Sequence, residues 1–137
     1  MTIFVDTSIL IAYIDVRDSK HQQGLQILKD VISGNYGAAY FSDYVFDEAI
    51  TFLFAKSKDV NVPISLGDFL LNSEINILTV SKELFDLSWV LFKQRKNISF
   101  TDCTIVETMR KHGIKNLATF DNGFKQFKKE FNILGLE

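Results

Sequence analysis

The sequence has few of the residues that build the most easily recognised protein sites. Its 137 residues include one cysteine, Cys103, which excludes an internal disulfide and a cysteine-based zinc site. Only two histidines are present, His21 and His112, and they are not spaced like a pair of zinc ligands. The chain must therefore be stabilised by a hydrophobic core, and its content of 47% apolar and 13% aromatic residues is sufficient for one.

The chain also lacks a surplus of positive charge and a long hydrophobic run. Its formal net charge is −2, with both signs interspersed, which is not typical of a protein that binds nucleic acid through a broad basic face. The apolar run 9–14 is much shorter than the ~20 residues of a membrane-spanning helix, and no basic segment precedes it. We therefore expect a cytoplasmic protein. A nucleic-acid site in such a chain would have acidic residues at its centre and hold phosphates through metal ions.

Short apolar runs alternate with helical patterns along the whole chain. This alternation predicts an α/β fold with a parallel sheet covered on both faces, in one domain that spans residues 1–137. The apolar runs predict strands at 3–5, 38–41, 75–80, 116–120 and 133–134. The helical patterns predict helices that begin near residues 9, 22, 42, 64, 81, 101 and 124.

Polar residues predict where these helices begin and end. We expect the first helix to be capped by Thr7 or Ser8, and the second to begin with a capping box of Ser19 and Gln22. Gly113 is expected to end its helix in a left-handed conformation. Further N-caps are predicted at Ser42, Ser81 and Thr101.

Four acidic residues fall where a parallel α/β fold places its ligands. Asp6 and Asp121 each follow a predicted strand, and the carboxyl ends of parallel strands border the binding crevice. Asp102 lies in the first turn of a predicted helix, and Glu48 lies on a helix that is apolar on most sides. Each acid alone has an ordinary explanation, because aspartates form turns and stabilise helix starts. Together they predict an acidic pocket.

Converging carboxylates repel each other, so they stay ionised together only if a cation neutralises them. No lysine or arginine is adjacent in sequence to Asp6, Glu48 or Asp121. A hard dication with oxygen ligands, Mg²⁺ or Mn²⁺, is the natural complement of such a site.

The segments around these acids resemble the PIN-domain ribonucleases, and in particular the VapC-type toxins of toxin–antitoxin pairs. The resemblance is carried by Phe4-Val5-Asp6-Thr7-Ser8, by Ser99-Phe100-Thr101-Asp102, and by Thr119-Phe120-Asp121. It implies a three-layer α/β/α fold with a parallel sheet of about five strands. It also implies an Mg²⁺- or Mn²⁺-dependent endoribonuclease that cuts RNA.

The resemblance also implies roles for individual residues and for partners. The metal-binding and catalytic acids would be Asp6, Glu48, Asp102 and Asp121, and the hydroxyl residues beside them Ser8, Thr101 and Thr119. Glu48 is chosen over Asp43 and Asp47, which lie close by in the sequence. The implied partners are RNA, a cognate antitoxin and a second copy of the toxin.

Two surfaces of the predicted helices are candidates for these partners. Basic residues that could meet RNA flank the acidic motifs, although a solvated helix face is the simpler explanation: Lys93, Arg95, Lys96, Lys125, Lys128 and Lys129. Two neighbouring helices carry more apolar surface than a core needs, which predicts a protein contact: Phe46, Phe52, Phe54, Phe69, Leu70 and Leu71.

Three other functions compete with a nuclease. A phosphoacceptor receiver domain needs two adjacent acids after the first strand, and a phosphatase of the Asp-x-Asp type needs an acid at position 8, but Asp6 is followed by Thr7 and Ser8. The third alternative is a PIN-like protein that has lost catalysis and serves as a protein- or RNA-binding scaffold. Metal binding distinguishes it from an enzyme.

Overall fold

The computed structural model describes residues 1–95 and 97–136. Its centre is one sheet of five parallel strands in the order β3-β2-β1-β4-β5. The strands are β1 (Thr2–Val5), β2 (Ala38–Ser42), β3 (Asn76–Leu78), β4 (Asn116–Ala118) and β5 (Asn132–Leu134). Each lies within or next to an apolar run of the sequence, as predicted.

Helices flank the sheet and complete a three-layer α/β/α fold. They are α1 (Thr7–Ile14), α2 (His21–Ile32), α3 (Asp43–Ser57), α4 (Asn61–Leu71), α5 (Lys82–Gln94) and α6 (Phe100–His112). A 3₁₀ helix, Asn122–Phe127, takes the place of the helix predicted at 124–131. None of the helices in the described ranges has the length and hydrophobicity needed to cross a membrane.

Strand β1 is the middle strand and the most deeply buried. Ile3, Phe4 and Val5 are fully buried, as expected for a strand covered on both faces. Strand β1 pairs with β2 on one side and with β4 on the other. The chain order along the sheet therefore reverses between β1 and β4, and crevices for ligands form at such reversal points outside the carboxyl ends of the strands.

Several predicted helix ends are confirmed. The hydroxyls of Ser42 and Ser81 accept hydrogen bonds from the amides of Val45 and Leu84, which caps α3 and α5. Gly113 ends α6 with a φ of 66°, a left-handed conformation that glycine adopts without strain.

Three predicted helix starts are wrong. Asp6, not Thr7 or Ser8, is the N-cap of α1, and its carboxylate does not cap the helix. The proposed capping box of Ser19 does not form, because α2 begins at His21, whose amide bonds to the carbonyl of Asp18 instead. Helix α6 begins at Phe100, one residue before Thr101, and Ser99 caps it.

Candidate active site

The carboxyl ends of β1 and β4 open onto a pocket of about 520 Å³. Asp6 follows β1 directly, and Asp121 follows β4 after two residues. The pocket brings together all four predicted acids and the start of α1 with the loop before α6. It is lined by Asp6, Thr7, Ser8, Ile11, Glu48, Phe52, Asn97, Ile98, Ser99, Asp102 and Asp121.

Asp6 is buried and is held by two hydroxyl groups. The hydroxyl of Thr119 donates to Oδ2 of Asp6 over 2.7 Å, and the hydroxyl of Ser8 donates to the same oxygen over 2.9 Å. The Ser8 oxygen also accepts a hydrogen bond from the amide of Phe120. Ser8 and Thr119, two of the predicted hydroxyl residues, are therefore in contact with Asp6 and hold its carboxylate towards β4, and the carboxylate makes no capping hydrogen bond to α1.

Asp102 is the third residue of α6 and takes part in a capping box. The hydroxyl of Ser99 accepts from the amide of Asp102, and Oδ2 of Asp102 accepts from the amide of Ser99. Asp102 is 6% exposed. The capping box thus orients Asp102, which both stabilises the start of α6 and lines the pocket.

Asp121 is tied to the same network through its backbone. Its amide donates to the hydroxyl of Thr119, which itself donates to Asp6. Its Oδ1 accepts from the amide of Gly123, which caps the 3₁₀ helix. Thr119 therefore connects the two aspartates that follow β1 and β4.

Helix α3 directs Glu48, and neither neighbouring aspartate, into the pocket. Asp43 accepts hydrogen bonds from the amides of Tyr44 and Val80, which joins α3 to the start of α5. Asp47 is exposed and accepts a hydrogen bond from the hydroxyl of Thr51. Glu48 is partly buried and lines the pocket, which agrees with the choice made from the sequence.

The four acids influence one another electrostatically. Burial raises the pKa of Asp6 to about 6, against the hydrogen bonds from Thr119 and Ser8, and the charge of Glu48 raises it further. Burial also raises the pKa of Asp102 to about 7, and the charges of Asp6, Asp121 and Glu48 add to this effect. The pocket therefore concentrates negative charge that neighbouring cations do not neutralise, since no lysine or arginine lines it among the described residues.

The chemistry of these side chains suits a hard dication, because every candidate ligand is a carboxylate oxygen. Within residues 1–95 and 97–136, however, no three acidic, histidine or cysteine side chains stand close enough together to share one ion. Asp6 and Asp102 are held in place, whereas Glu48 is only partly buried and Asp121 is exposed.

Comparison with known proteins shows the family of this chain. The family profile described as "PIN domain" matches residues 3–130. The chain belongs to the PIN-domain family. A VapC ribonuclease of Archaeoglobus fulgidus is 25% identical over 127 residues, which is 90% of this chain and 80% of that protein.

Solved structures share the fold of this PIN domain. The VapC20 toxin of Mycobacterium tuberculosis, described as cleaving the sarcin–ricin loop, has a TM-score of 0.81 at 24% identity, with 90% of this chain and 93% of that chain covered. The VapBC2 complex of Rickettsia felis, bound to a DNA fragment from its promoter, has a TM-score of 0.67 at 19% identity and covers 98% of both chains. A toxin–antitoxin complex of Klebsiella pneumoniae has a TM-score of 0.64 at 19% identity and covers 96% of this chain and 95% of that chain.

The predicted residues Thr101, Lys93 and Arg95 do not line the pocket. Thr101 does not line it, and among the described residues its hydroxyl makes no hydrogen bond to any of the four acids. Lys93 and Arg95 lie over the rings of Trp89 and Phe127 instead. The predicted basic residue Lys96 lies outside the described residues.

Ser99 is the site residue that our sequence analysis missed. We assigned the helix cap to Thr101 because it directly precedes Asp102, but a capping box requires a hydroxyl three residues before the acid. The spacing Ser99-x-x-Asp102 carried that signal. Asn97 and Ile98, which also line the pocket, show no comparable pattern in the sequence.

Proposed function

We propose that this PIN domain is an Mg²⁺- or Mn²⁺-dependent endoribonuclease and the toxin of a toxin–antitoxin pair. One observation carries the proposal: two buried aspartates, Asp6 and Asp102, share a pocket with Glu48 and Asp121 at the point where the sheet order reverses. The similarity to a VapC ribonuclease supports RNA as the substrate.

The four acids would hold the metal in different ways. Asp6 and Asp102 are the principal ligands, because the structure already holds them in place. Glu48 and Asp121 complete the site by rotating towards them. A dication bound there would lower the pKa of a coordinated water and neutralise charge on the scissile phosphate.

The other residues of the pocket position these acids. Ser8 and Thr119 hold the Asp6 carboxylate, and hydrogen-bonding partners of metal ligands commonly tune metal affinity. Ser99 orients Asp102. Thr101 remains a proposed contributor on the strength of the family resemblance. Ile11, Phe52 and Ile98 form apolar walls, which strengthen electrostatic interactions at the acids by limiting access of water.

Metal binding distinguishes the enzyme from a catalytically inert PIN-like scaffold. We expect isothermal titration calorimetry to show Mg²⁺ or Mn²⁺ binding that is lost in Asp6→Asn and retained in Asp30→Asn. Asp30 is a matched control, because its carboxylate bonds to Gln26 on α2 and does not line the pocket. A wild-type protein that binds neither ion would favour the scaffold.

The groove between α3 and α4 is the proposed site of the antitoxin. It has a volume of about 270 Å³, and four of the apolar side chains that line it are at least half exposed: Phe54, Val60, Ile64 and Leu71. An amphipathic helix or extended tail fits an apolar groove of this kind. The toxin–antitoxin complexes of the same fold support such a partner.

Co-expression of the chain with the product of a small reading frame next to its gene tests this assignment. We expect the product to co-purify with the wild-type chain and to be lost from Phe54→Asp or Leu71→Asp. Trp89→Ala alters an exposed side chain on α5 instead and should retain the partner. If the groove variants retain it as well, the antitoxin binds elsewhere.

A further inference from the structure

A second pocket lies beside the acidic pocket, at the carboxyl ends of β4 and β5. It opens between α2 and the segments that follow these two strands, and its volume is about 320 Å³, which is sufficient for a small organic group. We call it the Phe120 pocket, and it is lined by Gln23, Gln26, Ile27, Phe120, Gly135 and Leu136. None of these residues is charged, so the pocket differs in chemistry from the acidic site next to it.

Phe120 connects the two pockets and is held in place between them. Its amide donates to the hydroxyl of Ser8 in the acidic pocket, and the next residue in the chain is Asp121. A side chain in place of Gly135, where φ is 102°, would clash with the carbonyl of Thr119 and come within 3.2 Å of the Phe120 ring. Only glycine therefore lets the chain after β5 pass this close to the ring. The ring packs partly against the core and partly lines its own pocket.

The side chains of the Phe120 pocket suit a nucleobase. An aromatic ring can stack on a base of any kind. The amide of Gln26 already donates to the carboxylate of Asp30, which leaves the exposed amide of Gln23 to form hydrogen bonds with the edge of a base. The Nζ atom of Lys20 lies 5.8 Å from the centroid of the Phe120 ring, so a positive charge stands beside the stacking surface. A neutral base is therefore a better fit than a phosphate for the pocket itself.

A basic pocket adjoins the Phe120 pocket and shares Leu136 with it. Its volume is about 410 Å³, and Lys125 and Lys128 line it. Acids that would hold a metal, an uncharged aromatic pocket and a pair of lysines thus follow one another across the surface. A single RNA strand has the same alternation of charged phosphates and neutral bases, and proteins that bind single strands combine basic and aromatic surfaces in this way.

We propose that the Phe120 pocket binds one unpaired base of the RNA close to the scissile phosphate, with Phe120 stacked on the base and Gln23 hydrogen-bonded to its edge. The inference rests on the proposed ribonuclease function for its ligand and adds a specificity site to it. It restricts the substrate to RNA that is single-stranded near the cut, because a base inside a duplex cannot enter a pocket. An antitoxin side chain is a weaker candidate, since this pocket shares no residue with the α3–α4 groove.

Binding of a labelled single-stranded RNA, measured as initial fluorescence anisotropy in Mg²⁺, tests the proposal. The full chain carries Glu48→Gln, which slows cutting and keeps the two principal metal ligands. Adding Phe120→Leu should weaken binding at least about five-fold, and adding Phe120→Tyr, which keeps the ring, should leave it within about two-fold. In a series of RNAs that each lack one base, one version should bind about as weakly as the complete RNA binds Phe120→Leu. Phe120→Leu should not weaken the binding of that version further.

Two controls separate base binding from damage to the acidic pocket. Calorimetry should give the same Mn²⁺ affinity for the wild type, Phe120→Leu and Phe120→Tyr. Gln23→Ala should remove the preference among the four bases at the position that Phe120 contacts. Gln22→Ala, which alters an exposed residue of α2 outside the pocket, should retain that preference. A preference that Gln23→Ala leaves intact would overturn the role of Gln23.

The outcomes also separate this proposal from the ribonuclease function. The base pocket is overturned if the chain binds no RNA, if Phe120→Leu binds the complete RNA as tightly as its parent, or if it weakens every version that lacks a base by the same factor. Coupling between Phe120 and one base in a wild-type chain that cuts no RNA would support the pocket and remove the ribonuclease proposal. Cutting without this coupling would do the reverse.

Discussion

The hydroxyl of Thr119, just after β4, donates a hydrogen bond of 2.7 Å to the carboxylate of Asp6, just after β1. The same hydroxyl oxygen accepts a hydrogen bond from the amide of Asp121. One small side chain therefore joins the two strand ends on either side of the point where the sheet order reverses. It holds a buried carboxylate at the edge of the acidic pocket.

Replacing Thr119 with valine should weaken metal binding without disrupting the fold. The substitution keeps the shape of the side chain and removes the donor to Asp6, so the pKa of Asp6 should rise. Loss of such a partner commonly costs about 10- to 100-fold in metal affinity or activity. Calorimetry with Mn²⁺ and the rate of RNA cleavage measure the two effects.

Thr108→Val provides the matched control for Thr119. Thr108 is a buried threonine of α6 whose hydroxyl has no hydrogen-bond partner among the described residues. Removing it should leave metal affinity unchanged and raise the free energy of unfolding, because a buried hydroxyl without a partner costs about 1–3 kcal/mol. If Thr119→Val and Thr108→Val bind Mn²⁺ with equal affinity, Thr119 does not contribute to the metal site.

The acidic pocket should make the metal-free protein less stable at higher pH. Burial raises the pKa of Asp6 to about 6 and that of Asp102 to about 7, above the value of 3.8 expected in the unfolded chain. Their stabilising contribution is therefore complete below about pH 4 and is lost as the pH rises through 6 to 7. Ionisation of Asp6 alone costs on the order of 3 kcal/mol at pH 8.

Asp6→Asn should consequently stabilise the metal-free protein at pH 8 and have little effect at pH 4. Urea unfolding in EDTA at both pH values measures the difference. A gain in stability that is the same at both pH values would show that the substitution acts through packing and not through charge. In saturating Mg²⁺ the wild type should instead be more stable than Asp6→Asn, because the ion binds only the wild-type site.

Ser99→Ala should affect Asp102 more than Thr101→Val does. Alanine at position 99 removes the hydroxyl that accepts from the amide of Asp102, at a cost of about 1 kcal/mol, and so loosens the first turn of α6, whose backbone positions the Asp102 carboxylate. Thermal unfolding measures the first effect, and Mg²⁺ affinity measures the second. A larger loss of Mg²⁺ affinity in the Thr101 variant would assign the positioning role to Thr101 instead.

Glu48→Gln and Asp47→Asn form a pair that tests the register of α3. Only Glu48 lines the pocket, and its charge raises the pKa of both buried aspartates. We expect Glu48→Gln to reduce cleavage at least about ten-fold and Asp47→Asn to leave it unchanged. The reverse result would mean that the active conformation of α3 differs from the one described here.

The order of strands and helices could be predicted from the sequence because it depends on local patterns. As predicted, α3 and α5 begin after Ser42 and Ser81, and α6 ends at Gly113. A helix cap depends only on residues that are neighbours in the chain. The predicted start of the second helix was wrong because the carbonyl of Asp18 accepts a hydrogen bond from the amide of His21. This turn competes with the capping box, and the spacing of Ser19 and Gln22 did not reveal it.

The site was predictable only in part, because its residues are far apart in the sequence. Strand ends place Asp6 and Asp121 at one edge of a parallel sheet, so their proximity follows from the fold class. The bond between Asp6 and Thr119 spans 113 residues, and no local pattern encodes it. For the same reason Asp6 does not cap α1 with its side chain: a distant hydroxyl competes for its carboxylate.

The most direct test of the account is cleavage of a single-stranded RNA by the wild-type chain, Asp102→Asn and Asp30→Asn, each with Mg²⁺ and with excess EDTA. We predict cleavage by the wild type and by Asp30→Asn that requires Mg²⁺, and a loss of at least about 10³-fold in Asp102→Asn. Cleavage that persists in EDTA, or in Asp102→Asn at the wild-type rate, would contradict a metal-dependent ribonuclease built on these acids.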